Sequence, residues 1–264
     1  MKYEKCRIIE NKQIGKDIYN LIIKSKKIAN GSTPGQFIEI FPDNHKNILP
    51  RPISICDIDK RSNYVRLVYA VVGEGTKRFT EFNQGDQIRI LGPLGNGYSI
   101  KNKEKIAIIG GGLGVPPMFF LTKCIIEQTA GSEIDIYLGY KTDAFMADEF
   151  KLIRSGYNDV NAYVSTEDGS EGYKGDVLSL LNDTSAVYDN QYDIIYACGP
   201  KAMLKAISGY AESMGILCFV STEQRMCCGI GVCFSCTIKN KSGEFKKVCK
   251  DGPVFNSSEV IWDD

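Results

Sequence analysis

A group of cysteines near the end of the chain is the feature of the sequence with the most specific chemistry. The stretch EQRMCCGIGVCFSC, residues 223–236, contains four of the ten cysteines in the 264 residues. Cys228, Cys233 and Cys236 have the spacing C-x4-C-x2-C, and Cys249 follows after twelve residues. The spacing of the first three is that of the plant-type [2Fe-2S] signature, whose fourth ligand lies farther along. These thiols are therefore predicted to hold a [2Fe-2S] cluster.

Three other interpretations of the cysteines remain open. A structural zinc site usually shows two short C-x2-C intervals, which this stretch lacks. A Rieske centre needs two histidines, and the chain has one, His45, in a polar loop. Disulfides are disfavoured in a reducing compartment. Cys227 is a fifth thiol nearby, but adjacent residues rarely point at one site, so it is left out of the predicted ligand set.

Two stretches in the first third of the chain could bind phosphate. In LPRPISICD, Arg51 lies between two prolines and Ser54 follows in an extended stretch. Downstream, in VVGEGTKRF, Gly73 and Gly75 free the backbone and Thr76 is predicted to be the N-cap of a helix. A helix N-terminus attracts phosphate, so Arg51 and this helix together could hold a pyrophosphate. The pattern alone favours the simpler interpretation, a Gly-rich turn capped by threonine.

Two turns in the second half of the chain follow predicted buried strands. They are GGGLG, with Gly110, Gly111, Gly112 and Gly114, and CGP, with Cys198, Gly199 and Pro200. GGGLG is not a G-x-G-x-x-G fingerprint, because Val115 stands at the position of its last glycine, so taken alone it is equally well interpreted as a tight packing turn. Ligands of open α/β sheets nevertheless bind at the edge where both turns are expected. A third loop there, STEDGSEG, is acidic and without Lys or Arg, which favours NAD over NADP.

The elements that position these motifs follow from the hydrophobic pattern. Up to residue 99, short alternating or apolar stretches such as YNLIIKS, GQFIEIFP, YVRLVYAVV and DQIRILGP predict a small antiparallel barrel. From KIAIIGGG onward, strands and helices alternate, which predicts a parallel sheet with crossover helices. We therefore expect a multidomain α+β chain with a barrel at 1–99, an α/β domain at 100–217 and a cysteine-rich tail with little regular structure at 218–264.

The composition excludes some classes of function. Lys plus Arg and Asp plus Glu are equal at 32 each, so no global positive field would attract nucleic acid. Charges are spaced through the N-terminal 25 residues without a continuous apolar segment, so neither a signal peptide nor a membrane helix is expected. The default location is the cytoplasm.

Taken in order, RPIS, GEGT, GGGLG, CGP and MCCGIGVCFSC…KVCKDGPVF resemble the electron-transfer subunits of NAD-dependent (class B) dihydroorotate dehydrogenase, within the ferredoxin reductase superfamily. The resemblance spans the whole chain, and the cysteine tail is its most specific part. It implies an FAD-binding barrel, an NAD-binding α/β domain and a C-terminal [2Fe-2S] loop.

The resemblance also implies a role for individual residues. Arg51, Pro52, Ile53 and Ser54 would line the FAD, with Arg51 at the pyrophosphate and Ser54 near the flavin ring. Val68, Tyr69 and Ala70 would form a further flavin contact, and Gly75 and Thr76 would bind FAD phosphates. Many members have an arginine after the tyrosine, so Ala70 departs from the family pattern at one polar flavin contact. The cluster ligands would be Cys228, Cys233, Cys236 and Cys249.

The implied function is electron transfer in pyrimidine biosynthesis. NAD exchanges electron pairs, an iron–sulfur cluster exchanges single electrons, and flavin does both, so FAD belongs between them. Electrons would enter from an FMN-containing catalytic subunit through the cluster and leave as hydride to NAD+, in a heterotetramer of two subunits of each kind. No catalytic acid or base is expected in this chain. The alternatives are a ferredoxin- or sulfide-type NAD(P)H oxidoreductase subunit and a non-enzymatic module with a structural metal.

Overall fold

The computed structural model describes residues 1–42, 49–129, 131–188 and 191–262, and of residues 186–188 only the backbone. His45 therefore lies outside the described residues. The chain forms two compact units. The first comprises Met1–Tyr98, Glu223–Lys239 and Glu244–Val254, and the second comprises Ser99–Thr222, Asn240–Gly243 and the described residues from Phe255.

In the first unit, the described residues contain a closed antiparallel barrel with the strand order β1-β2-β5-β4-β3-β6. Its strands are β1 (Lys2–Gly15), β2 (Ile18–Lys24), β3 (Phe37–Phe41), β4 (Arg51–Asp59), β5 (Tyr64–Ala70) and β6 (Gln87–Leu94). Two short helices are inserted, α1 (Lys26–Gly31) and α2 (Glu74–Phe79). The predicted barrel is confirmed.

The burial pattern of the barrel strands explains their positions. In β6, buried Ile88, Ile90 and Leu94 alternate with less buried residues, because one face of the strand packs inside the barrel. In contrast, β3 is buried on both faces from Phe37 to Ile40. Its second face is covered by the cysteine-rich segment of the same unit, in which Gly229 packs against Glu39.

The second unit is a mainly parallel α/β sheet with the order β10-β9-β8-β7-β11-β12-β15. Its strands are β7 (Lys105–Gly111), β8 (Glu133–Tyr140), β9 (Val160–Thr166), β10 (Tyr173–Lys174), β11 (Ile194–Cys198), β12 (Leu217–Ser221) and β15 (Val254–Asn256). The helices are α3 (Val115–Gln128), α4 (Ala147–Ser155), α5 (Val177–Tyr188) and α6 (Lys201–Met214).

The ends of α3 and α6 carry residue types that favour helix termini. Pro116 and Pro117 occupy the first turn of α3, where no intrahelical N–H bond is lost. Gly215 ends α6 with φ of 68°, a left-handed conformation that glycine adopts without steric cost. The central strand β7 is buried almost throughout because helices cover both faces of a parallel sheet.

The tail contains more regular structure than expected. β13 (Thr237–Lys239) and β14 (Phe245–Lys247) form an antiparallel pair, and β12 continues the parallel sheet across the predicted boundary at residue 217. The division into three segments stays a prediction. Among the described residues, no helix has the length and apolar character needed to cross a membrane.

Candidate functional site

The cysteine-rich loop arranges the four predicted ligands as two pairs. The N–H of Cys233 donates to the Sγ of Cys228 at 3.4 Å, and the N–H of Cys249 donates to the Sγ of Cys236 at 3.4 Å. The thiols of Cys236 and Cys249 are buried, whereas Cys233 is exposed. In a cluster with two irons each iron takes two of the four thiolates, so two pairs of thiols fit a [2Fe-2S] group.

Backbone N–H groups of the loop favour the ionised form of Cys228. Burial raises the pKa of this thiol, but hydrogen bonds from the N–H groups of Ile230, Cys233 and Val232, together with one from the Cys233 thiol, outweigh it and lower the pKa to about 6. The thiolate is the form of cysteine that binds metal. The loop thus favours a thiolate at Cys228, as the predicted role of this residue requires.

The geometry of the loop leaves the alternative of a single metal ion open. Within the described ranges, no three His, Cys, Asp or Glu side chains are arranged to hold one metal ion. A zinc site would require four ligands around a single point. Burial first, and the neighbouring Cys233 thiol second, raise the pKa of the fifth thiol, Cys227. Its exclusion from the ligand set stays a prediction.

A buried carboxyl group, which the sequence analysis missed, lies directly beneath this loop. A β-carbon on Gly229 would lie 2.5 Å from the carboxyl carbon of Glu39, and Gly229 has φ of 62°, a conformation that favours glycine. Burial first, and the charge of Cys228 second, raise the pKa of Glu39 to about 7. In the part of the chain that the structure describes, neither carboxyl oxygen has a hydrogen-bond partner. The signal in the sequence was an acid inside the apolar strand FIEIF.

The strand that carries Glu39 also borders the predicted flavin strand. Glu39 pairs with Pro52 across β3 and β4, and the neighbouring residue pairs continue from Arg51 to Ser54. These four residues of RPIS are each half-buried. The cysteine-rich loop therefore packs on the strand next to the one expected to line FAD.

RPIS and GEGT meet, as their expected common role requires. A β-carbon on Gly75 would lie 2.6 Å from the Cζ of Arg51, so the glycine leaves room for the guanidinium. Arg51 also donates to the carbonyl of Leu49 at 2.7 Å, which orients the side chain. Arg51 and Gly75 thus bring a guanidinium and a backbone segment of α2 into close contact, and a β-carbon on Gly75 would displace the guanidinium.

The predicted N-cap was wrong by three residues. α2 begins at Glu74 with Gly73 as its N-cap, so Thr76 lies inside the first turn. Its hydroxyl donates to the carbonyl of Gly73 at 3.3 Å and accepts from the N–H of Val72 at 3.0 Å. Glycine tolerates the cap position nearly as well as threonine, which allows the earlier start.

The third predicted flavin segment is at the end of β5. Val68 and Tyr69 are buried and Ala70 is half-buried. The ring of Tyr69 stacks on Tyr19 with centroids 5.5 Å apart, and its hydroxyl donates to the amide oxygen of Asn11 at 3.2 Å. The Tyr69 side chain therefore packs within the barrel. A flavin at this segment would contact its backbone.

We expect Arg51→Ala to weaken FAD binding about tenfold, because a charge-assisted hydrogen bond to phosphate contributes roughly 1.5 kcal/mol or more. Fluorescence titration of the flavin-free chain with FAD gives the dissociation constants. Arg61→Ala is the matched control, since Arg61 is an exposed arginine of the same unit. Equal dissociation constants for both variants would remove Arg51 from the flavin site.

In the second unit the two predicted dinucleotide turns contact each other. Gly110 and Cys198 are register partners on β7 and β11. A β-carbon on Gly114 would lie 2.6 Å from the backbone N of Gly199 and would collide with the carbonyl of Cys198. A β-carbon on Gly111 would lie 3.2 Å from the Cδ of Pro200. GGGLG and CGP therefore form one close-packed edge at the carboxyl ends of adjacent strands.

The acidic stretch 165–172 begins in the last two residues of β9 and continues into the loop at the same edge of the sheet. Glu171 accepts a hydrogen bond from Lys151 at 2.7 Å, and Lys151 also pairs with Asp148 at 3.0 Å. Asp168 accepts from the hydroxyl of Ser170 at 2.7 Å. Lys151 is thus paired with two carboxylates, while the stem of Lys174 packs against Gly169 of the loop. The preference for NAD over NADP stays a prediction.

Two family models match the chain. Residues 223–261 match the iron-sulfur cluster binding domain of dihydroorotate dehydrogenase B, and residues 108–209 match an oxidoreductase NAD-binding domain. Among curated relatives, the dihydroorotate dehydrogenase B (NAD(+)) electron transfer subunit of Fusobacterium nucleatum is 41% identical over 98% of this chain and 99% of its own length. The subunit of the same name from Bacillus cereus is 36% identical over 99% of both chains.

Solved structures show the same fold. A chain from the structure of an NADH-dependent reduced ferredoxin-NADP oxidoreductase is 32% identical, with a TM-score of 0.86 over 97% of this chain and 90% of that chain. The cytochrome b5 reductase domain of Ulva prolifera nitrate reductase matches with a TM-score of 0.67 at 19% identity, over 81% of this chain and 94% of that domain, and so shows the fold alone.

Proposed function

The chain belongs to the family of dihydroorotate dehydrogenase B (NAD+) electron transfer subunits, and from this we propose that it passes electrons from an FMN-containing catalytic subunit to NAD+. The path runs through a [2Fe-2S] cluster and FAD held by this chain. The chain is then the NAD-reducing part of an oxidoreductase in pyrimidine biosynthesis.

One observation supports this path most strongly. The loop with the four thiols packs through Gly229 on Glu39 of β3, and β3 pairs with the RPIS strand β4. A single strand of the first unit therefore connects the two sites. Such proximity is what electron exchange between a cluster and a flavin requires.

The bound groups supply chemistry that side chains lack, since flavin exchanges pairs of electrons with NAD and single electrons with the cluster. The chain holds and orients them. Cys228, Cys233, Cys236 and Cys249 would ligate the iron, Arg51 and Gly75 would hold the FAD pyrophosphate, and GGGLG with CGP would hold NAD. No acid or base for the pyrimidine is assigned here, because that chemistry belongs to the catalytic subunit.

Mixing the chain with a class B catalytic subunit tests the proposal. We expect a stable complex that contains FMN, FAD, iron and acid-labile sulfide and that reduces NAD+ with dihydroorotate. A complex without this activity, or no complex, would contradict the pyrimidine assignment. Zinc without flavin would instead favour a structural metal module.

A second function is favoured by the similarity to the NADH-dependent reduced ferredoxin-NADP oxidoreductase, which is 32% identical to this chain. In that case the loop would exchange electrons with a ferredoxin- or sulfur-type acceptor. NAD(P)H-dependent reduction of ferredoxin by the isolated chain, together with failure to bind the catalytic subunit, would select this alternative.

We place the partner surface around the exposed side of the loop. Cys233 is exposed there, and the large apolar side chains beside it are also exposed, namely Ile230, Val232, Phe234 and Phe245. Phe234 has φ of 59°, an uncommon conformation for an aromatic residue, and its ring lies 3.9 Å from the ammonium of Lys247. An exposed apolar patch of this kind marks an interface. Phe255, by contrast, is buried.

Replacing Phe234 and Phe245 together by serine is expected to weaken binding of the catalytic subunit at least about tenfold, because exposed aromatic residues dominate interface energies. Sedimentation or calorimetry measures the affinity, and NADH oxidation with a flavin-directed dye reports on the isolated chain. Leu152→Ser is the matched control, since Leu152 is 74% exposed in the other unit. Unchanged affinity of the double variant would place the interface elsewhere.

The remaining parts of the proposal concern the electron acceptor, the subunit composition and the location of the complex. We propose NAD rather than NADP as the acceptor, a heterotetramer with two catalytic and two electron-transfer subunits, and a cytoplasmic location. The native mass of the purified complex and the ratio of rates with NAD+ and NADP+ check the first two.

A further inference from the structure

The loop that carries Cys249 is attached to the barrel by one asparagine. Asn96 follows the end of β6, and its side-chain amide donates to the carbonyls of Lys250 at 3.1 Å and Asp251 at 3.2 Å. Its backbone N–H donates to the carbonyl of Gly252 at 2.6 Å. Three consecutive carbonyls directly after Cys249 are therefore bound by a single residue of the barrel unit.

The turn around Cys249 also has internal hydrogen bonds. The carboxylate of Asp251 accepts from the N–H of Lys247 at 2.7 Å, and the N–H of Asp251 donates to the carbonyl of Lys247 at 2.7 Å. These bonds fix the shape of the turn. They do not attach it to the barrel, which is what the contacts of Asn96 do.

Gly95, the residue before Asn96, allows the end of β6 to pack closely against the turn after Cys249. Gly95 has φ of 76°, and a β-carbon on it would lie 2.7 Å from both the carbonyl oxygen of Gly252 and the Cδ of Pro253. The side chain of Gln36 donates to the carbonyl of Gly95 at 2.7 Å, which ties this platform to the residue before β3. Gly95 and Asn96 thus contact the turn after Cys249 by close packing as well as by hydrogen bonds.

We propose that Asn96 is a positioning residue for the iron–sulfur cluster, acting on Cys249 through the carbonyls of Lys250 and Asp251. This inference rests on the proposed function, because it assumes that Cys249 is a cluster ligand. Asn96 does not touch the thiols. It fixes the position of the buried pair, Cys236 and Cys249, relative to the pair of Cys228 and Cys233. Outer-shell hydrogen-bond partners orient the ligands of other metal sites in the same way.

The test compares Asn96→Ala and Asn96→Asp with the wild-type chain loaded with FAD and cluster. Aspartate has nearly the same shape but no N–H donors, so it decides the question even where the alanine variant fails to fold. Asn83→Ala is the matched control, because its side-chain amide also donates to a backbone carbonyl of the barrel unit, that of Glu81 at 3.0 Å. The readouts are the rate of cluster loss to an iron chelator, the EPR spectrum of the reduced cluster and the rate of FAD release.

We expect cluster loss about five- to tenfold faster in both Asn96 variants, as loss of two amide–carbonyl bonds predicts, with an altered EPR spectrum and FAD release within about twofold of wild type. Wild-type rates of cluster loss would overturn the inference. So would equal acceleration of cluster and FAD loss, which indicates general destabilisation. A wild-type chain that holds no iron at all would instead contradict the proposed function.

Discussion

Cys249→Ser is expected to lower the rate at which the reconstituted complex reduces NAD+ with dihydroorotate by at least about a hundredfold. Cys249 and Cys236 form the buried thiol pair, and the N–H of Cys249 donates to the Sγ of Cys236. With one thiol lost, one iron would have a single cysteine ligand from this pair, and an iron–sulfur cluster depends on all four. Single electrons then have no route from the partner to the flavin.

The same variant is expected to keep its other activity. NADH oxidation by a dye that takes electrons from FAD requires RPIS, GEGT and the α/β unit but not the cluster, so its rate is expected to stay within about twofold of wild type. Cys218→Ser is the matched control, because Cys218 is a buried cysteine of β12 outside the loop. Retention of dihydroorotate-linked activity by Cys249→Ser would exclude a route through the cluster.

Gly114→Ala is expected to lower NADH-dependent reduction of FAD about a hundredfold, while the chain keeps both FAD and its cluster. Its β-carbon would collide with the carbonyl of Cys198 and lie 2.6 Å from the backbone N of Gly199. Backbone atoms cannot rotate away as a flexible side chain can, so GGGLG and CGP must separate. A displacement of about 1 Å at a binding site costs a rate on this order.

Gly209→Ala provides the control for this variant. Gly209 lies inside α6 of the same unit, and a β-carbon on it would meet no atom within 4 Å. Alanine favours a helix over glycine, so this variant is expected to be as active as wild type and slightly more stable. Stopped-flow flavin bleaching measures both rates. Wild-type reduction of Gly114→Ala would remove these turns from the nicotinamide site.

Features that depend on local pattern could be predicted from the sequence. The apolar alternation of β6 and the Pro and Gly residues that bound α3 and α6 determine these elements within a few residues. The two turns of the α/β unit follow buried strands, and parallel strands bring their carboxyl ends to one edge. The cysteine spacing alone predicts a set of ligands for an iron–sulfur cluster.

Features that depend on contacts between distant segments could not be predicted. In the sequence, Glu39 is only an acidic residue that interrupts the apolar strand FIEIF. Its burial depends on contact with Gly229, almost two hundred residues later in the chain. In the sequence, Asn96 is only one polar residue of a Gly-rich turn. Its role depends on hydrogen bonds to the carbonyls that follow Cys249, which the sequence does not indicate. The N-cap of α2 moved to Gly73 because glycine competes with threonine at that position.

Anaerobic titration of the isolated, FAD- and cluster-loaded chain with NADH, followed by optical and EPR spectroscopy, tests the central claim most directly. We predict that about three electrons enter each polypeptide, two on the flavin and one on the cluster, and that the EPR signal of the reduced cluster grows as the flavin bleaches. Complete bleaching of the flavin while the cluster stays oxidised would contradict electron exchange between the two sites.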